Sequence, residues 1–299
     1  MEKLKGIIVP MVTPLKKDGA IDFESTGRIV RHLVSGGVHG IFVLGTTGES
    51  QCLSAGQKEE FITAVGSEIN GRIPYLVGVT DTSLGSVLEL SRIAKNAGAC
   101  GVVSTPPYYY TPSQSEIRNW FLSLAEGQDL PLYMYNMPSH VKVQIEPKTV
   151  YALASHPNIR GLKDSSHNMT YFQTLSYLTA EEKDFSLFVG PEEQTAQAVL
   201  LGAAGGVNGG ANMFPELYVN IYNAALNSDL DKVKRLQKII LRISAEVYSV
   251  GGYLSGLKAA MEVLGLCGRT LARPYSSLEA SRIGEMRSVI EGITKENWK

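Results

Sequence analysis

Cysteine is scarce in this chain of 299 residues, and the three present, Cys52, Cys100 and Cys267, stand far apart. That spacing excludes a disulfide framework and any CxxC metal site. Reduced thiols in a cytoplasmic protein are the resulting expectation. An excess of one charge is missing too: the formal net charge is −1, with no long block of like charges. Neither a nucleic-acid surface nor disorder driven by acidic excess is indicated. No apolar run approaches the roughly 20 residues of a membrane span. The short charged segment from Met1 to Gly6 lacks the apolar core of a signal peptide. Also absent are GxGxxG, GxxxxGK followed by Ser or Thr, and HExxH. Their absence removes the sequence signals for dinucleotide, P-loop and zinc-protease sites.

What the chain does have is recurrence. Apolar runs, most rich in Val, Ile, Leu or Tyr and bounded by Gly or Pro, occupy Gly6–Pro10, Gly40–Gly45, Pro74–Thr80, Gly101–Pro106, Pro131–Asn136, Ile159–Lys163, Phe185–Gly190 and Ala204–Gly209. Such runs are expected of buried parallel strands. Helical spacing lies between them, as in Phe23–Ser35 and Leu84–Ala97, and Ser113 with Glu116 forms a capping-box pattern. Eight strands alternating with helices predict a (β/α)8 barrel. After the eighth strand only helical patterns follow: Glu216–Leu226, Leu230–Val247, Leu254–Leu264 and Ser277–Ile290. The expectation is a barrel over residues 1–225 with a C-terminal helical extension over 226–299 packed on it. Chemistry in such a barrel belongs at the C-terminal ends of the strands, which directs attention to the polar residues there.

Strand two ends in Gly45-Thr46-Thr47-Gly48-Glu49-Ser50. Glycines admit close backbone approach, and successive amides can form an anion nest. The competing reading is an ordinary turn before a capped helix. Strand four ends in Thr105-Pro106-Pro107-Tyr108-Tyr109-Tyr110, whose aromatics suit packing or an interface, with one of them available as a proton relay. Strand six carries Lys163, at an inward or near-inward position if its neighbour Leu162 sets the pleat. Burial disfavours a charged lysine, and a neutral amine is what attack on a carbonyl requires. The alternative is a lysine reaching the rim. Tyr135 ends strand five, and adjacent strands lie about 5 Å apart, so its phenol can reach Lys163 and move protons there. The alternative is a core tyrosine.

These residues carry a family likeness. Gly40-Ile41-Phe42-Val43-Leu44-Gly45-Thr46-Thr47-Gly48-Glu49 resembles the first signature of the dihydrodipicolinate synthase / N-acetylneuraminate lyase family. Tyr135-Asn136-Met137-Pro138-Ser139, followed by Gly161-Leu162-Lys163-Asp164, resembles the second. The likeness spans nearly the whole chain. It implies a class I, Schiff-base lyase or aldolase that works with pyruvate. Lys163 would form the imine and Tyr135 act as acid and base. Thr47 and Tyr109 match relay hydroxyls, Tyr109 reaching across from a partner subunit. Thr46 and Thr47 would hold the pyruvate carboxylate, and Gly190 and Val207 line the imine. The resemblance implies no metal and no organic cofactor, and a homotetramer built as a dimer of dimers.

The member is a separate question. True synthases follow the tyrosine segment with an arginine for the second substrate's carboxylate, whereas this chain has His140. An imidazole lacks the permanently charged bidentate fork of a guanidinium. Glu192 after strand seven, with Ser139, Ser165, Ser166 and Asn208 at other strand ends, would suit a polyhydroxylated tail. The leading expectation is an aldolase that cleaves a 2-oxo-3-deoxy sugar acid to pyruvate and an aldehyde. The rivals are a dihydrodipicolinate synthase using another cation such as Lys142, an N-acetylneuraminate lyase or dehydratase of the same family, and a sugar-acid sensor without turnover.

Overall fold

A computed structural model describes residues 3–296 and 298. Its eight parallel strands close into a barrel in chain order. The strands are β1 (Gly6–Pro10), β2 (Gly40–Val43), β3 (Tyr75–Gly78), β4 (Gly101–Ser104), β5 (Leu132–Asn136), β6 (Ile159–Asp164), β7 (Ser186–Val189) and β8 (Gly205–Val207). The helices of the β/α units are α1 (Phe23–Ser35), α2 (Ala55–Ile69), α3 (Leu84–Asn96), α4 (Gln114–Gly127), the short α5 (Pro138–Val141), α6 (Pro147–Ala154), α7 (Met169–Leu178), α8 (Thr195–Leu200) and α9 (Pro215–Leu226). After them come α10 (Leu230–Arg242), α11 (Tyr253–Val263) and α12 (Ile283–Thr294). Among the described residues no helix is long and apolar enough to cross a membrane.

Strand alternation divides the apolar residues into two cores. Ile8, Phe42, Leu76, Val103, Tyr133 and Tyr135 belong to a cluster inside the barrel. Their neighbours Ile7, Val9, Ile41, Val102, Met134 and Leu162 pack outward against the helices. Because side chains alternate faces along a strand, outward Leu162 places Lys163 inward. The register then sets Tyr135 directly opposite Lys163 on the adjoining strand. The outer core is one continuous cluster that also takes in Leu236, Ile240, Leu257 and Met286 of the last helices.

Several elements are shorter than their sequence patterns. The apolar run of strand two continues to Gly45, but the strand stops at Val43 because Leu44 turns to a φ of 57°. The expected helix Leu230–Val247 is α10 followed by a single π-helical stretch, Ile243–Val247. The expected helix Ser277–Ile290 begins only at Ile283, after a 3-10 turn at Ala280–Arg282. Ser277 is spent elsewhere: its hydroxyl oxygen accepts from the Leu271 N–H. At Ser113 the capping box is formed in full, with Glu116 returning to the Ser113 N–H.

Candidate active site

The C-terminal ends of the strands open on a cavity of about 650 Å3. Lys163 and Tyr135, both buried, lie side by side in its wall, with the Lys163 Nζ 4.1 Å from the Tyr135 ring centroid and 5.6 Å from that of Phe42. The Tyr135 hydroxyl lies 3.2 Å from the Thr46 hydroxyl. Burial alone raises the phenol pKa, but the positive charge of Lys163 and hydrogen bonds from Thr46, Ser165 and Lys163 outweigh it and hold the group below its ordinary value. A phenol so tuned gives up its proton more readily than a free tyrosine.

The strand-five ending has a mechanical logic. Asn136 is fully buried and points away from the cavity; its amide donates to Asp164 Oδ1 at 2.8 Å and accepts from the Ile145 N–H at 3.0 Å. Asp164 in turn accepts from the N–H and hydroxyl of Ser166. These bonds lock the ends of β5 and β6 together, immediately beyond the tyrosine and the lysine. Pro138 opens α5, where its missing N–H costs nothing.

The loop after β2 is a tight turn. Gly48 N–H donates to Gly45 O and Glu49 N–H to Thr46 O. Gly48 is packed so closely that a Cβ there would lie 3.0 Å from the Leu44 nitrogen and 3.2 Å from Met11 O. With those two amides spent, anion binding in this loop falls to Thr46 and Thr47. The two threonines are not equivalent. Thr46 meets Tyr135, whereas the Thr47 hydroxyl lies 3.0 Å from that of Tyr253. The hydroxyl in reach of the lysine–phenol pair is therefore that of Thr46, which corrects the expectation that Thr47 supplies it. The cause is the turn itself, which aims successive side chains toward opposite walls.

Of the other sequence candidates, Gly190, Val207, Ser139, Ser165 and Glu192 line the cavity. Gly190 is tightly packed: a Cβ would fall 2.0 Å from the Ser165 hydroxyl, which would have to move. Asn208 is a correction. It is fully buried, its amide meets the Thr195 hydroxyl at 2.9 Å, and it braces the ends of β7 and β8 rather than facing the cavity. Tyr109 does not reach the cavity of its own chain. It stands 79% exposed, edge-to-face with the equally exposed Tyr110. His140 lies on the rim with its Nδ1 3.0 Å from the Ser139 hydroxyl. Lys142 points away and donates to Ser139 O.

Glu192 is buried, its Oε1 accepting from the Tyr248 hydroxyl and its Oε2 from the Gly210 N–H, both at 2.8 Å. Burial is the main cause that lifts its pKa to about 7; the two hydrogen bonds oppose the lift and Glu193 adds to it. Glu193 is held by the Ser244 hydroxyl. Among the described lining residues, Lys163 is the one lysine or arginine.

Sequence reasoning missed the wall contributed by the last helices, where Tyr248, Tyr253 and Tyr275 line the cavity. A readable signal was available at Gly251-Gly252-Tyr253. Both glycines adopt positive φ, 91° and 90°, and so turn the chain to present Tyr253 at the start of α11.

A closed parallel barrel with a buried lysine and a tuned tyrosine side by side at its strand ends defines a class I, Schiff-base carbon–carbon lyase. The sequence profile of the Dihydrodipicolinate synthetase family matches residues 3–293, and the chain belongs to that family. Enzymes of this family form a pyruvate-derived Schiff base on lysine and need no external cofactor. The chain is similar to the structure of dihydrodipicolinate synthase from Bacteroides thetaiotaomicron, with 46% identity, a TM-score of 0.95, and coverage of 98% of this chain and 100% of that one. It is similar to YagE, a prophage protein from E. coli K12 whose structure is a complex with pyruvate, at 26% identity and a TM-score of 0.92, over 97% and 98% of the two chains. It is also 31% identical to a probable 2-dehydro-3-deoxy-D-pentonate aldolase of Escherichia coli K12, over 94% of each chain.

Proposed function

We propose that this lyase cleaves a 2-oxo-3-deoxy sugar acid to pyruvate and an aldehyde through an imine on Lys163. The observation that carries the reading is the Lys163–Tyr135–Thr46 group, with the amine 4.1 Å from the phenol ring and the phenol 3.2 Å from the threonine hydroxyl. The neutral Lys163 amine attacks C2 of the 2-oxo acid. Tyr135 passes a proton to the departing hydroxyl, so water leaves and the protonated imine forms. Tyr135 then takes the proton from the C4 hydroxyl. The C3–C4 bond breaks, the aldehyde departs, and the bonding pair moves into the imine as an enamine. Protonation at C3 and addition of water release pyruvate and free the lysine. Thr46 and Thr47 hold the carboxylate, and Gly190 and Val207 leave room for the imine.

Tyr109 acts in the site of a neighbouring copy within a homotetramer, which accounts for its exposure in a single chain. The expected extension 226–299 is mainly helical over its described residues and serves the barrel's site through Tyr248, Tyr253 and Tyr275, with positions 297 and 299 outside the described residues. The tail is polyhydroxylated and uncharged at its far end, because Ser139, Ser165 and the protonatable Glu192 offer donors and acceptors while no arginine lines the cavity among the described residues.

A second reading is favoured by the 46% identity to the Bacteroides protein: condensation of pyruvate with aspartate semialdehyde. Trapping with pyruvate and borohydride, followed by peptide mass spectrometry, tests the shared chemistry. An adduct on Lys163 is expected, and its absence removes the Schiff-base reading. A coupled assay of the semialdehyde against a panel of 2-oxo-3-deoxy acids then separates the two. Robust condensation of the semialdehyde would overturn the aldolase assignment.

A further inference from the structure

Glu49 closes the turn that carries Thr46 and Thr47, yet it does not point at the cavity. Its side chain is 1% exposed and pairs with Lys258, which is 0% exposed, at an Nζ–Oε1 distance of 2.5 Å. Each partner makes one further bond. Glu49 Oε2 accepts from the Ala272 N–H at 2.7 Å, and Lys258 Nζ donates to Thr270 O at 2.7 Å. Glu49 itself holds a left-handed backbone, φ 55°, a conformation unfavourable for a residue with a side chain unless its surroundings enforce it.

Three segments meet at this pair, and each contributes to the cavity wall. The turn after β2 supplies Thr46 and Thr47. Helix α11, which bears Lys258, supplies Tyr253 at its first position. The segment after it, held through Thr270 and Ala272, supplies Leu271 and Tyr275. The turn and α11 are thus joined twice, by the buried ion pair and by the Thr47–Tyr253 hydroxyl contact at 3.0 Å. A buried ion pair is a poor way to gain stability, because desolvation of both charges offsets their attraction. Its strength is geometric: the two charges are in close ionic contact without an aligned hydrogen bond at Glu49 Oε1, and each partner is anchored by a second bond, to Ala272 N–H and to Thr270 O, so the pair tolerates little displacement.

We propose that Glu49 and Lys258 are positioning residues that set the angle of the Thr46–Thr47 turn against α11, and so tune how tightly the site binds the pyruvate carboxylate. The inference rests on the Schiff-base reading above and extends it to two residues that touch no substrate. Glu49→Gln with Lys258→Met removes both charges at nearly constant volume, so no buried charge is left without a partner.

The test measures half-saturation of the borohydride-trapped Lys163 adduct against pyruvate concentration, alongside kcat and thermal unfolding, in wild type and the double variant. The expected result is a folded double variant with half-saturation raised about tenfold, the scale of coupling through a side-chain network, and kcat changed less than KM. A purely structural pair predicts a lower Tm and unchanged half-saturation, and that result overturns the proposal. If the double variant does not fold, Glu49→Met with Lys258→Met is read in its place, which likewise leaves no buried charge without a partner. Failure of both variants to fold makes the pair a folding element and equally overturns the proposal. A wild type that forms no adduct refutes the functional reading first, and the inference with it.

Discussion

Glu192→Gln tests the electrostatics of the cavity wall in a quantity that can be worked out beforehand. In the folded protein the Glu192 carboxyl is buried and its pKa is lifted from the ordinary 4.5 to about 7. The fold therefore holds the proton more tightly than the unfolded chain does. The stability contributed by the protonated form is whole below pH 4.5, falls as pH rises, and is gone above about pH 7. Each unit is worth about 1.4 kcal/mol, so the wild type loses roughly 2.5 kcal/mol from this group between about pH 5 and pH 8. Glutamine imitates the protonated acid: its Oε accepts from the Gly210 N–H and its amide faces the Tyr248 hydroxyl. The variant should lack the loss. The assay is urea unfolding of both proteins at the two pH values, read as the difference of differences, in which every other titrating group cancels. A difference below roughly 0.5 kcal/mol, the ordinary scatter of such comparisons, would refute the claim that the fold keeps Glu192 protonated near neutrality.

Two further outcomes concern the proton path. Tyr135→Phe should lower kcat by about 10²–10⁴, the usual loss of a general acid–base group, while the Lys163 adduct still accumulates slowly with pyruvate; an unchanged kcat would remove Tyr135 from the mechanism. Thr46→Val and Thr47→Val should separate cleanly. The first is expected to depress kcat through the lost 3.2 Å contact with Tyr135, the second chiefly to raise the pyruvate concentration that half-saturates the trapped Lys163 adduct, and the reverse pattern would restore Thr47 to the relay.

The barrel was legible because both of its signals are local. Apolar runs bounded by Gly or Pro mark strands, and strand alternation turns outward Leu162 into an inward Lys163 without further information. The pairing of Lys163 with Tyr135 follows from the same rule, because neighbouring strands in a parallel barrel have a fixed spacing. The two threonines were not separable in this way. Which of Thr46 and Thr47 faces Tyr135 depends on the hand of a turn closed by Gly48 and Glu49, and adjacent hydroxyls of identical type carry no mark of direction. Asn208 misled for a related reason: a polar residue at a strand end reads as a binding group until its partner, Thr195, is placed beside it. The aromatic wall was invisible as a wall, because Tyr248, Tyr253 and Tyr275 come from far along the chain and only the folding of the last helices onto the barrel brings them to the strand ends. Gly251-Gly252 was the local trace of that contact, and helical periodicity alone passed over it.

The charge inventory of the cavity bears on substrate choice independently of any single residue. Its lysine is committed: once the imine forms, the positive charge stays on that nitrogen and faces the carboxylate of the same substrate. A second carboxylate at the far end would need another cation. Lys142 turns outward onto Ser139 O, and the His140 pKa is lowered, first by partial burial and then by the nearby Lys142 and Lys163. An unmatched carboxylate brought into a partly buried site forgoes an attraction on the order of 4 kcal/mol at contact distance and still gives up its hydration. A hydroxyl has no such deficit. It can donate to a serine oxygen and accept from a protonated Glu192, and each exchange replaces a hydrogen bond to water with one of similar strength. Under the proposed sugar-acid reading, the discrimination would come from the absence of a lysine or arginine beside His140 as much as from the donors that are present, and protonation of the two lining imidazoles, His140 and His167, at low pH should weaken it.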